Sequence, residues 1–140
     1  MTSSRWNDAL AVGVPTIDSQ HKHLFILIDT LRSVDSDDSE EIKKAIDELN
    51  TYAAMHFALE ERLMDRFNYP YADNHLRAHA TFISQVGEYD VECAFGSGPS
   101  RSEVVDYIEG WISNHIMTVD MQFGEYLQHL DVIETIQNEY

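Results

Sequence analysis

His56 and Glu60 stand four residues apart in the longest periodic stretch of the chain, so on a helix they share one face. The rest of that face is apolar: Ile42, Ile46, Leu49 and Ala53 precede the pair, and Leu63 and Phe67 follow it. A stripe of this kind is buried against partners. A buried glutamate is costly unless something pairs with it or a metal binds it. The pattern recurs elsewhere. His21 shares a face with Leu24, Phe25, Ile28 and Leu31, and His75 and His79 share one with Phe82, Val86, Tyr89 and Cys93. His115 sits among Val104, Ile108, Ile112 and Val119. A lone histidine on an apolar face is usually a satisfied core residue, but five on four separate faces point to one shared site. A salt bridge to Arg62 or Arg66 is the plainer alternative for Glu60, and the apolar stripe disfavours it. His23 and His129 fall outside the set and read as surface residues. Asp120 fits the set least well on helix geometry. It follows His115 by five residues, a step of about 500° in an α-helix, or about 140° net. It joins the set only around the helix flank or through a local π-type widening.

Five imidazoles and two carboxylates exceed what one ion takes. Two octahedral ions offer twelve positions. Histidines fill five, two bridging carboxylates four, and a bridging oxide or hydroxide two, which leaves one for a small ligand. Imidazole with carboxylate suits iron, without excluding manganese, cobalt or zinc. With only two anionic side chains, the set favours a ferrous pair at rest. Phe57, Trp111, Ile112 and Ile116 flank the donors in sequence. Their ordinary role is core packing, which is compatible with giving the open position an apolar wall.

The elements that must position these donors are helices. Residues 1–17 show no sustained periodicity and read as an arm anchored by Trp6, Val12, Val14 and Ile17. Asp18 or Ser19 is expected to cap the first helix, and Ser39 the second, after a polar loop over 35–39. The second helix is expected over about 40–66, a break over 67–73 around Pro70, and a third helix over about 71–94. Glycine and proline punctuate 96–100, Ser100 and Glu103 fit a capping box, and a fourth pattern runs on to Leu127. Residues 131–140 read as a frayed extension or a short extra helix. The fold class is therefore all-α: an antiparallel up-down-up-down four-helix bundle with an N-terminal arm. A single domain spans 1–140, with the arm over about 1–17, the bundle over about 18–129 and an extension over about 130–140. His21, His75 and His79 lie near the starts of their helices, whereas His56, Glu60 and His115 lie well along theirs. Alternating helix direction brings these positions to one level, toward one end of the bundle.

Composition narrows the function classes. At 140 residues and 44% apolar content, the chain is long enough for one well-formed core. No run approaches the length of a membrane span, and Met1–Arg5 does not read as the start of a signal peptide. A formal net charge of -16 argues against nucleic acid and anionic membrane as partners. The single cysteine, Cys93, allows no internal disulfide. No glycine-rich phosphate loop follows a strand pattern, so no nucleotide cofactor is expected.

The ordered set of motifs resembles the hemerythrin family, in its single-domain bacterial form. It comprises Ile17-Asp-Ser-Gln-His-Lys22, His56-x-x-x-Glu60 followed by Glu61 and Met64, and Tyr69-Pro70. It continues with His75-x-x-x-His79 followed by Phe82, and Trp111-x-x-x-His115-Ile116-x-x-x-Asp120. No single pair is specific, but the ordered set is, and it covers about Trp6 to Leu127. The resemblance implies two iron ions, ferrous or ferric, bridged by oxide or hydroxide, Glu60 and Asp120. By the same resemblance His75, His79 and His115 complete the filled iron, and His21 and His56 hold the iron that takes dioxygen. Phe57, Trp111, Ile112 and Ile116 match residues that shape the oxygen pocket. Met121 departs from many relatives, which carry lysine there. The implied function is reversible dioxygen binding for transport, storage or delivery, not enzymatic turnover. The implied partners are dioxygen and an oxygen-consuming enzyme, and the expected setting is a cytoplasmic monomer. The competing reading is a di-iron protein that senses oxygen or consumes oxygen or peroxide. Ferritin-like oxidases are disfavoured, because the apolar stripes lack paired Glu-x-x-His motifs.

Overall fold

The computed structural model describes residues 6–34, 38–96 and 98–140. Among these residues all regular structure is helical: α1 (Pro15–Arg32), α2 (Ser39–Arg66), α3 (Ala72–Ala94), α4 (Arg101–His115), α5 (Met121–His129) and α6 (Ile133–Glu139). A π-helical turn, Ile116–Asp120, joins α4 to α5, so the two act as the fourth rod of the bundle. α2 packs against α1 and α3, and α4 closes the ring against the same two helices. Phe25, Phe82, Phe123, Leu24, Ile28, Leu49 and Leu63 are among the fully buried side chains at its centre. Each contributes about 1.5–3 kcal/mol by leaving water. The extension resolves as the short helix α6, which folds back against α1.

Two helix starts differ from the sequence expectation. α1 begins at Pro15 with no side-chain cap, because proline has no N–H to leave unsatisfied at a first helical position. Asp18, expected as a cap, lies inside the first turn, and its Oδ1 accepts the Val12 N–H at 2.8 Å. α2 is capped by Asp38, which accepts the Glu40 N–H at 3.0 Å, so the cap lies one residue before Ser39. Ser100 caps α4 as expected, accepting the Glu103 N–H at 3.2 Å. The expected features at residues 1–5, 35–37 and 97 lie outside the described residues.

The arm is a structural component of the bundle. Leu10, Val12 and Val14 are buried, and Lys22 lies over the Trp6 ring at 4.5 Å. The Val12 carbonyl accepts from Gln128 Nε2 at 2.8 Å, so both of its backbone groups are tied, one to α1 and one to α5. Gly13 turns the chain at φ +83°, a region L side chains avoid. Gly124 lets the arm lie against α5, since a Cβ there would collide with the Val12 carbonyl.

Candidate metal centre

Each bundle rod carries donor residues inward. α1 brings His21, α2 brings His56 and Glu60, α3 brings His75 and His79, and the fourth rod brings His115 and Asp120. All seven are at most 5% exposed. His23 and His129 are exposed and outside the cluster, and His23 packs on Tyr52 at 4.4 Å between ring centroids. Glu60 lies among imidazoles rather than in a surface salt bridge; Arg66 pairs with Glu139 at 3.0 Å.

The donors divide about the two carboxylates. Glu60 Oε1 lies 3.1 Å from His79 Nε2 and 3.6 Å from His75 Nε2. Its other oxygen lies 3.3 Å from His56 Nε2 and 3.7 Å from His21 Nε2. Asp120 Oδ1 lies 3.0 Å from His75 Nε2 and 3.2 Å from His115 Nε2, while Oδ2 lies 3.1 Å from His21 Nε2. The ligand atoms fall into two overlapping groups: Glu60, His75, His79, His115 and Asp120, and His21, His56, Glu60 and Asp120. Within each group they lie within 4.8 Å of one another.

The π turn answers the geometric difficulty at Asp120. Met121 N–H bonds back to the Ile116 carbonyl, five residues earlier, rather than four. This wider turn places His115 and Asp120 on one side of the rod, where α-geometry would have separated them.

The arrangement fits metal ions. Among the described residues, all five Nε2 atoms, both Glu60 oxygens and Asp120 Oδ1 are buried without a hydrogen-bond partner, and they converge. Unsatisfied buried donors and acceptors are rare unless something else binds them. The electrostatics agree. Burial depresses the His21 imidazole, but Asp120 and Glu60 outweigh it and raise its pKa to about 10. His75 is likewise raised to about 9 against its burial. Burial pushes both carboxyls up, and Glu60 adds to this at Asp120, yet the surrounding histidines hold both well below their ordinary values. The two carboxylates thus draw positive charge into a pocket without lysine or arginine among its donors.

Sequence reasoning overlooked the groups behind the imidazoles. His56 Nδ1 lies 2.6 Å from Gln20 Oε1, and His79 Nδ1 lies 3.0 Å from Glu61 Oε2. Both partners adjoin a donor in sequence, and that adjacency was the available signal. Phe57 stacks on His79 with centroids 3.9 Å apart, and Trp111 on His115 at 4.4 Å. Phe57, Trp111, Ile112 and Ile116, with Leu24, meet His21, His56, His115 and Asp120 around a cavity of about 10 Å³. That is about one water-sized probe. The roomier openings are surface grooves, of about 670 Å³ between α2 and α3 and about 540 Å³ between α1 and α2. Phe57 borders both the inner cavity and the α2–α3 groove.

Comparison with known proteins matches residues 12–127 to the Hemerythrin HHE cation binding domain. A bacteriohemerythrin of Stenotrophomonas maltophilia is 31% identical over 128 residues, spanning 90% of this chain and 83% of that protein. A bacteriohemerythrin of Pseudomonas paraeruginosa is 33% identical over 127 residues, spanning 89% of this chain and 81% of that protein. Among solved structures, a wild-type hemerythrin superposes with a TM-score of 0.81 at 27% identity, covering 89% of this chain and 95% of the other.

Proposed function

Because this chain belongs to the hemerythrin family, we propose that it binds dioxygen reversibly at a non-haem di-iron centre, for transport, storage or delivery. The observation that carries this reading is the division of five converging imidazoles, three and two, about two shared carboxylates. His75, His79 and His115 would hold one iron, and His21 and His56 the other. Glu60 and Asp120 would span both, with oxide or hydroxide as a further bridge. When bound, the iron pair supplies the two electrons that dioxygen takes up and gives back.

The chain's own residues account for the rest. With two histidines against three, the His21 and His56 side is the one left with room for a ligand. That side faces the small cavity bounded by Leu24, Phe57, Trp111, Ile112 and Ile116. A neutral diatomic enters such a space at little desolvation cost, whereas an anion would lose its hydration there without replacement. Exclusion of bulk water by these side chains also limits the protons that reach the site, which favours release over turnover. In this reading the protein is a non-enzymatic carrier that hands dioxygen to an oxygen-consuming enzyme. The net charge of -16 supports a monomer, and the lone Cys93 is compatible with a reducing cytoplasm. No helix among the described residues is long and apolar enough to cross a membrane.

An anaerobic titration of the ferrous protein with dioxygen, followed by absorption, tests the proposal. The expected result is uptake of one dioxygen per iron pair, reversed by removing oxygen. Continuous oxygen consumption in the presence of reductant would overturn the carrier reading.

A further inference from the structure

Two of the imidazoles are held from behind, by groups of different charge. At His56, Nδ1–H donates to the neutral amide oxygen of Gln20 at 2.6 Å. The Gln20 Nε2 lies 3.9 Å from the Met55 sulfur, a weak acceptor. At His79, Nδ1–H donates to a carboxylate oxygen of Glu61 at 3.0 Å. Both rings turn Nε2 toward the carboxylates of the site, so each outer bond also selects the tautomer that leaves Nε2 free to bind. Among the described residues, His21 Nδ1 and His75 Nδ1 have no hydrogen-bond partner. The neutral support therefore stands on the two-histidine side, and the anionic support on the three-histidine side.

We infer that Glu61 and Gln20 are positioning residues that set an electronic difference between the two metal positions, an inference that rests on the di-iron reading. A carboxylate accepting the Nδ1 proton raises the donor strength of the opposite nitrogen more than a neutral amide does. Through His79, Glu61 stabilises the more highly charged state of the metal on the three-histidine side. Through His56, Gln20 keeps the ring oriented without adding charge where the small ligand binds. The result is one position biased toward the oxidised state and one left easier to keep reduced.

The test compares the iron-loaded wild type with Glu61→Gln and Gln20→Glu. Glutamine at 61 retains an acceptor oxygen, so it removes charge while keeping a partner for the ring. Iron content is measured first. A wild type without two irons would sink the di-iron reading, separately from this inference. With two irons bound, the reduction midpoint is expected to move positive in Glu61→Gln and negative in Gln20→Glu. In the zinc-loaded protein, the His79 Nδ1 proton resonance is expected to move upfield in Glu61→Gln while that of His56 stays in place. An unmoved midpoint in Glu61→Gln with both irons retained would overturn the inference. Should that variant fail to hold iron, Gln20→Glu decides, and an unmoved midpoint there overturns it equally.

Discussion

Glu60 and Asp120 keep two negative charges almost wholly out of water, and the five imidazoles around them are the response. In the metal-free protein this response has a definite pH signature. The raised values of His21 and His75 add stability that is complete below their ordinary value of 6.5 and is lost as pH rises through about 9 to 10. The depressed values of Glu60 and Asp120 add stability that is present above about pH 4 and is lost as pH falls. The metal-free protein should therefore be most stable between about pH 4.5 and 6.5. Metal binding requires unprotonated imidazoles, so it competes best at higher pH. The melting temperatures of zinc-loaded and metal-free protein, followed by circular dichroism, should differ more at pH 9 than at pH 6. A gap that narrows would contradict the charge assignment. The seven clustered residues were legible in the sequence because polar side chains on apolar stripes stand out. Gln20 and Glu61 stood in the family motifs, but their place behind His56 and His79 was not legible, because each lies on the flank of its stripe, where a polar residue ordinarily meets only solvent.

The π turn over Ile116–Asp120 is the element that reconciles spacing with geometry. On a regular wheel Asp120 points away from His115, and the spacing alone left its placement open. The apolar periodicity of the four rods was readable because each buries a continuous stripe. Helix starts were less so, since several polar residues compete near each one. Proline at 15 and Asp38 won those competitions, and Asp18 turned out to bind the arm. The turn also makes a paired prediction. Met117 and Thr118 are exposed, so a change of length there removes or adds no core side chain. Deleting Met117 leaves His115 and Asp120 four residues apart, on one face of an ordinary α-helix, and two metals should still bind. Inserting one alanine after Met117 separates them by six and turns Asp120 and all of α5 by about 100°. Metal content should then fall below two per chain while helicity is largely kept, as measured by metal analysis and circular dichroism.

The whole molecule is tied together near the start and end of its bundle as well as at the donors. The arm joins α1 to α5 through both backbone groups of Val12, and Gly124 is what permits that approach. Gly124→Ala should push the arm off α5 and destabilise the fold by about 1–3 kcal/mol, as for other overpacked contacts. Urea unfolding checks this, and an unchanged midpoint would show that the arm repacks freely. Tyr126 adds a further tie, since its hydroxyl donates to the Phe67 carbonyl at 2.6 Å and also to that of Asn68, at the turn between α2 and α3. The ordering of the donors along the chain has a consequence in time. The first is His21 and the last Asp120, and both carboxylate-sharing groups include Asp120. A nascent chain that has not yet emitted its last rod lacks a complete site for either metal. On the di-iron proposal, loading is therefore a late event in the life of each molecule, because neither group of ligand atoms is complete until the final rod has closed the ring.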